Sequence, residues 1–158
     1  MKRITKLRVY IDTSVIGGCI DDRFKEVSRQ LIEKFKYGEM VAVISELTSL
    51  ELKYAPQEAR NILEGIPEEN IEYVELTEEA VNLGREYIKD GVVSESKLVD
   101  AQHIAIATIN RVDIVVSWNF KHIVNLEKIR GFNAVNLKMG YALLEIRSPW
   151  EVITYEEK

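Results

Sequence analysis

The chain has 158 residues, 46% of them hydrophobic and 30% charged, the balance of an ordinary water-soluble globular unit. Its 26 acidic and 21 basic side chains leave a formal net charge of −5, so no broad basic coat draws in nucleic acid, and any such contact needs a local patch or metal ions. A lone cysteine, Cys19, excludes an intramolecular disulfide framework and a multi-cysteine metal centre, and no apolar run approaches the roughly 18 residues of a membrane span; one domain over residues 1–158, in a reducing cytoplasm, is the expectation.

Residues 7–12 (LRVYID) alternate apolar and polar and then become β-rich, which predicts a strand with Asp12 at its carboxyl end. Phe24, Val27, Leu31 and Phe35 recur at intervals of three and four, predicting an amphipathic helix over 24–37 closed by Gly38. MVAVIS (40–45) is a short apolar strand of the kind a parallel sheet buries on both faces. Ser45 is placed to cap a helix over 46–54 and Pro56 to open another through 64, while IEYVEL (71–76) reads as a strand or an extended link. Thr77 heads a helix reaching Lys89, with Glu78 and Glu79 in its first turn. A strongly apolar helix, DAQHIAIATINR, begins at Ser96 or Asp100; DIVVS (113–117) is a second fully apolar strand and FNAVNL (132–137) a weaker third. Strands alternating with helices predict an α/β fold, a doubly wound and mostly parallel central sheet flanked by helices. Ligands of such sheets bind beyond the carboxyl ends of the strands.

Two strands end in short polar sequences that share this edge, Asp12-Thr13-Ser14 and Ser117-Trp118-Asn119. Asp12 is either a turn-capping aspartate or a site residue. Asp100 opens a helix so apolar that its carboxylate is either a first-turn dipole partner or a group awaiting a cation or donors. Glu51 falls on one helix face with Leu47 and Tyr54 and borders the apolar stripe, whereas its competitor Glu46 is explained by the helix N-terminus alone. Taken together, Asp12, Glu51 and Asp100 suggest an oxygen-rich divalent site suited to Mg²⁺ or Mn²⁺ rather than zinc.

Other residues carry weaker signals. His103 and His122 lack zinc-site spacing and read as surface or hydrogen-bonded structural histidines, with His122 also in reach of a phosphate. Trp118, Phe120, Trp150 and Tyr141 belong either to the core or to a base-stacking surface. Cys19 has no visible activating base. Basic residues available for phosphate are Lys2, Arg3, Lys6 and Arg8 near the start, and Arg111, Lys121, Lys128 and Arg130 further on. Gly17-Gly18 lacks the G-x-G-x-x-G continuation of a dinucleotide site, and Ser14 stands where a haloacid dehalogenase-like phosphatase needs a second aspartate.

VYIDTSVIGG, ISELTSLEL, LVDAQHIAIA and DIVVSWNFKHI, in this order and spacing over about residues 8–137, resemble the PIN-domain ribonucleases, including the toxins of VapBC-type toxin–antitoxin pairs. The resemblance implies that Asp12, Glu51 and Asp100 bind metal, Glu51 closing the pattern Ser45-x-x-Thr48-x-x-Glu51, and that Ser117 matches the hydroxyl residue ending the fourth strand. Asn119 departs from it, since many members carry aspartate there. The implied activity is hydrolysis of RNA phosphodiester bonds with one or two Mg²⁺ or Mn²⁺ ions. Asn119 is then placed to position water or phosphate, and Thr13, Ser14 and Ser117 to orient ligands or equally to cap turns. A small antitoxin covering the acidic groove, with an arginine among the carboxylates, and a homodimer using 141–146 or 148–153 are the expected partners. The alternative is a non-catalytic PIN-fold module that binds RNA or protein.

Overall fold

A computed structural model describes residues 5–154. Lys2 and Arg3 lie outside the described residues. Five strands, β1 (Arg8–Ile11), β2 (Val41–Ser45), β3 (Ile71–Val74), β4 (Ile114–Val116) and β5 (Ile146–Arg147), form one sheet in the order β3-β2-β1-β4-β5, and every pairing is parallel. Alternation decides the layers. Val9 and Ile11 of β1, Ala42 and Ile44 of β2 and Val116 of β4 join one core. Tyr10, Val43 and Val115, the intervening residues, join the other.

Helices cover both faces. On the first lie α1 (Thr13–Gly18), α2 (Lys25–Lys36), most of α3 (Glu46–Leu52), α4 (Gln57–Glu64) and the terminal α8 (Pro149–Thr154). On the second lie α5 (Glu78–Lys89), α6 (Leu98–Ile109) and α7 (Leu126–Lys138). α6 is apolar nearly all round and buried between α5 and the sheet, as its sequence demands. The end of α2 shows how local chemistry sets a boundary: Gly38, at φ 74°, donates its N–H to the Phe35 carbonyl while Glu39 donates to that of Lys34, a Schellman closure that only a residue at ease with positive φ completes well. Thr77 caps α5 by accepting the Ala80 N–H at 3.2 Å.

Several expectations shift. FNAVNL is the second half of α7, not a strand. Phe132, Val135 and Asn136 are its buried positions, a three-and-four spacing that its β-like alternation concealed, and Asn125 caps the helix by accepting the Lys128 N–H at 3.0 Å. The additional strand is instead β5, two residues long, which begins at the last residue of the 141–146 stretch expected to offer dimer contacts. Leu144 and Ile146 are core residues there, and of the 148–153 stretch Ile153 is also buried. α3 ends at Leu52, so Tyr54 leaves the helix face it was expected to share and stands 92% exposed. Ser45 occupies the N-cap position of α3 without capping it; its hydroxyl bonds Tyr10. α6 starts at Leu98, which places Asp100 in its first turn.

The sheet order locates the crevice. From β1 the chain moves outward through β2 and β3 on one side, then returns to place β4 and β5 on the other. The connections therefore diverge between β1 and β4, at the carboxyl ends that carry Asp12 and Ser117.

Candidate active site

Asp12 occupies the N-cap position of α1, yet its side chain makes no capping bond. Ser14 donates its hydroxyl to Oδ1 at 2.5 Å and Ser117 donates to Oδ2 at 2.6 Å. Each serine is fixed in turn from behind: Ser14 Oγ accepts the Trp118 N–H at 2.9 Å, and Ser117 Oγ accepts the Asn119 N–H at 3.0 Å. Two parallel relays, from backbone amide through hydroxyl to carboxylate, hold a side chain that is only 5% exposed. Hydrogen bonds to an ionised acceptor are the strong ones, so this carboxylate has one orientation.

Asp100 meets Asp12 from the first turn of α6, and nothing comparable holds it. No hydrogen bond to its carboxylate occurs among the described residues. Burial pushes its pKa above the ordinary aspartate value, the nearby Asp12 adds to the rise, and His103, His122 and Lys97 only partly offset it. A half-buried carboxylate facing another acid, without donors of its own, is an arrangement that a cation relieves.

Glu51 reaches the same edge from the last turn of α3 but is drawn aside. Its Oε1 accepts the Thr13 hydroxyl at 2.9 Å and lies 3.1 Å from His103 Nε2. The histidine is 3% exposed, and its Nδ1 lies 2.6 Å from the Tyr10 hydroxyl, which bonds Ser45 at 2.8 Å. The His103 and Thr13 bonds hold the Glu51 carboxyl below its usual value despite partial burial. Among the described residues, no group of three or more His, Cys, Asp and Glu side chains converges closely enough to hold a metal ion. Asp100 lies within electrostatic reach of Asp12, while Glu51 stays with its own partners. His103 was read as a possible structural histidine, and its role in setting Glu51 was missed. The available signal was its position three residues after Asp100 on an apolar helix, where a buried imidazole needs polar partners.

The remaining candidates divide. Asn119 turns its Oδ1 into its own loop, accepting the His122 N–H at 2.9 Å, which leaves its amide N–H groups as the donors it can offer. His122 is placed within electrostatic reach of Asp100, Lys97 and Lys121; partial burial first, then Lys97, lowers its pKa below the ordinary histidine value. Glu46 lies away from the acids, pinned to the Leu76 N–H. Arg8 is at the opposite end of β1, paired with Glu72 and donating to the Asn110 carbonyl. Arg111 follows the far end of α6, and Lys128 donates to the Val92 carbonyl at 2.6 Å. Lys97 is the lysine within electrostatic reach of Asp100, and Lys121 lies near His122. Cys19 is buried, with its thiol pushed up to about 11 by burial, which suits packing and not nucleophilic chemistry.

No known family's sequence pattern matches the chain, and no curated protein matches it in sequence. Solved structures do match. A chain of the VapBC2 complex of Rickettsia felis, bound to a DNA fragment from the promoter of that pair, superposes with a TM-score of 0.58 at 11% identity, over 90% of this chain and 98% of that one. A toxin–antitoxin complex from Klebsiella pneumoniae gives 0.54 at 16%, over 75% and 92%. VapC20 of Mycobacterium tuberculosis, a sarcin–ricin loop cleaving toxin, gives 0.53 at 14%, over 87% and 98%. The chain has the VapC-type PIN fold. With so little identity the likeness rests on backbone arrangement, and the side chains that this PIN sheet gathers must be judged on their own chemistry. A carboxylate fixed by hydroxyls and a second carboxylate without donors form an all-oxygen donor set. That chemistry fits a hard divalent ion, which keeps much of its water and takes one or two protein carboxylates.

Proposed function

We propose that the chain is a Mg²⁺- or Mn²⁺-dependent ribonuclease that hydrolyses RNA phosphodiester bonds, the toxin of a cytoplasmic toxin–antitoxin pair. The observation that carries this reading is the facing pair Asp12 and Asp100 at the divergence between β1 and β4, one fixed by two serines and the other destabilised as an anion by burial and by its neighbour. The fold it shares with VapC20, a sarcin–ricin loop cleaving toxin, supports the substrate class.

Asp12 and Asp100 would hold the ion. When bound, it supplies Lewis-acid polarisation of a phosphate and makes water more acidic. Ser14 and Ser117 keep the Asp12 oxygens directed at the edge, so no reorientation accompanies binding. The Asn119 amide N–H groups would donate to a phosphate oxygen or to the attacking water, while Lys97, Lys121 and His122 would border the place where phosphate charge collects. Glu51, ionised and with 44% of its side chain exposed, is the acceptor that orients water, and Thr13 and His103 set its position. A small antitoxin with an arginine for the acid pair fits the same edge, and a homodimer through surface helices completes the assembly.

The test is cleavage of a single-stranded RNA by the purified chain. Cleavage with Mn²⁺ that stops on chelation and returns on readdition is expected. RNA left whole at any Mg²⁺ or Mn²⁺ concentration contradicts the reading. Asn119 in place of an acid and the inward pairing of Glu51 favour a second reading, a non-catalytic PIN-fold module; it predicts RNA or protein binding with no metal-dependent turnover.

A further inference from the structure

Beside the acid pair lies a concavity that the reaction leaves unused. An open cleft of about 430 Å³ has Ser14 and Asn119 as shared walls with the acid edge and continues along Gly17, Arg23, Phe24 and Trp118. Phe24 and Trp118 are its aromatic lining, and they belong to a cluster assembled from three separate stretches that extends beyond the cleft. Phe24 stacks on Trp118 with centroids 4.1 Å apart, and Trp150 of α8 meets Trp118 edge-on at 4.8 Å. Phe120 lies nearly parallel to Trp150 at 5.7 Å. Trp118 is buried, whereas Phe120 and Trp150 keep 40% and 44% exposure.

We propose that this cleft is a nucleobase subsite, which takes the base of an unpaired ribonucleotide flanking the phosphate held at the Asp12 edge. The proposal rests on the ribonuclease reading and adds where a base sits and that the RNA must be single-stranded there. Four observations lead to it. Ser14 bonds both Asp12 and the Trp118 backbone N–H, so the acid and the aromatic wall are joined through one hydroxyl. Phe120 and Trp150, which meet Trp118 edge-on and carry the cluster from the cleft to the surface, are the exposed rings, and every base has a π-face to lay against them. Arg23 lies 4.8 Å over the Phe24 ring with its charge already matched by Asp21 at 2.9 Å. That pair offers little net attraction to a phosphate, but its N–H groups and carboxylate oxygens suit the polar edge of a neutral base, which a net charge of −5 does not repel. The wall is also rigid: the Trp118 indole donates to Ser28 Oγ at 2.8 Å over Gly18, where a Cβ would come within 2.7 Å of the indole nitrogen.

Neighbouring Gly17 supplies a plug. A Cβ added there meets nothing within 4 Å, and a larger residue in the helix fills the cleft without disturbing the core. The chain contains two tryptophans, Trp118 and Trp150, and both belong to this cluster, so intrinsic emission reads the cleft without turnover.

The experiment titrates the full chain, in chelator, with a short oligoadenylate and with an abasic ribose-phosphate oligomer of equal length. Saturable quenching by the oligoadenylate is expected, with the abasic oligomer binding about tenfold more weakly. Gly17→Leu and Phe120→Ala should each weaken the oligoadenylate by a similar factor and leave the abasic oligomer unchanged. Unchanged emission, equal binding of the two oligomers, or a cleft answering only to a protein segment overturns the proposal. Quenching without Mn²⁺-dependent cleavage keeps the base subsite and discards the nuclease, while cleavage without quenching does the reverse.

Discussion

The β1–β4 junction and the first turn of α6 bring carboxylates to one place and hold them in opposite ways. At the junction, Asp12 receives two hydroxyl donors, each backed by a main-chain amide. At the helix turn, Asp100 receives none among the described residues, and burial beside Asp12 raises its pKa. The first arrangement fixes a carboxylate in one place; the second leaves an anion at a disadvantage, half-buried and without donors. On the proposed metal-binding reading, the stability given up at Asp100 would be the trade common at functional sites.

This contrast is sharpened first by Asp12→Asn. RNA cleavage should fall at least about a thousandfold, roughly 4 kcal/mol of transition-state stabilisation, with the far-ultraviolet dichroism unchanged. Ser117→Ala frees one Asp12 oxygen and should lower kcat/KM by about tenfold to a hundredfold, the range for residues that orient a ligand. Tyr10→Phe leaves His103 Nδ1 and Ser45 Oγ without their shared partner in the core and should reduce unfolding free energy by about 1–2 kcal/mol in urea melts.

The smallest effect is the most specific. Asp100→Asn, measured without metal, should raise Tm near pH 7 by less than about 3 °C. Because the folded pKa of Asp100 lies above the unfolded one, its penalty is fully present above the folded pKa and vanishes below the unfolded value. The Tm gap between variant and parent should therefore close as the pH falls to about 4. Glu51 has the opposite sign: its folded pKa is lowered, so its contribution is present above the unfolded value and is lost as the pH falls through the folded one. A gap that widens on acidification would contradict the contrast.

Much of this was legible in the chain. Apolar runs at 40–45 and 113–117 mark strands buried on both faces, and polar residues at their ends mark the edge where Asp12, Ser117 and Asn119 meet. Asp100 was legible because a carboxylate is out of place on so apolar a helix. Less was visible where a signal had two physical causes. Thr13–Gly18, where the sequence showed only a polar strand end and a glycine pair, is α1, and a Cβ at Gly18 would collide with Ser28 and Trp118. FNAVNL alternates like a strand while placing Phe132, Val135 and Asn136 at helical spacing. β5 is too short for any pattern, and only its pairing with β4 defines it. The Tyr10–His103–Glu51 connection joins residues up to 93 positions apart, and no local rule could assemble it.

The central claim is that Asp12 and Asp100 together form a divalent-ion site, and calorimetric titration of the purified chain with Mn²⁺ tests it most directly. The account predicts saturable binding that Asp12→Asn or Asp100→Asn each weakens by at least tenfold, that Glu46→Gln leaves unchanged, and that releases protons on acidification towards the Asp100 range. Binding of equal strength in all of these chains, or none in the parent, would contradict it.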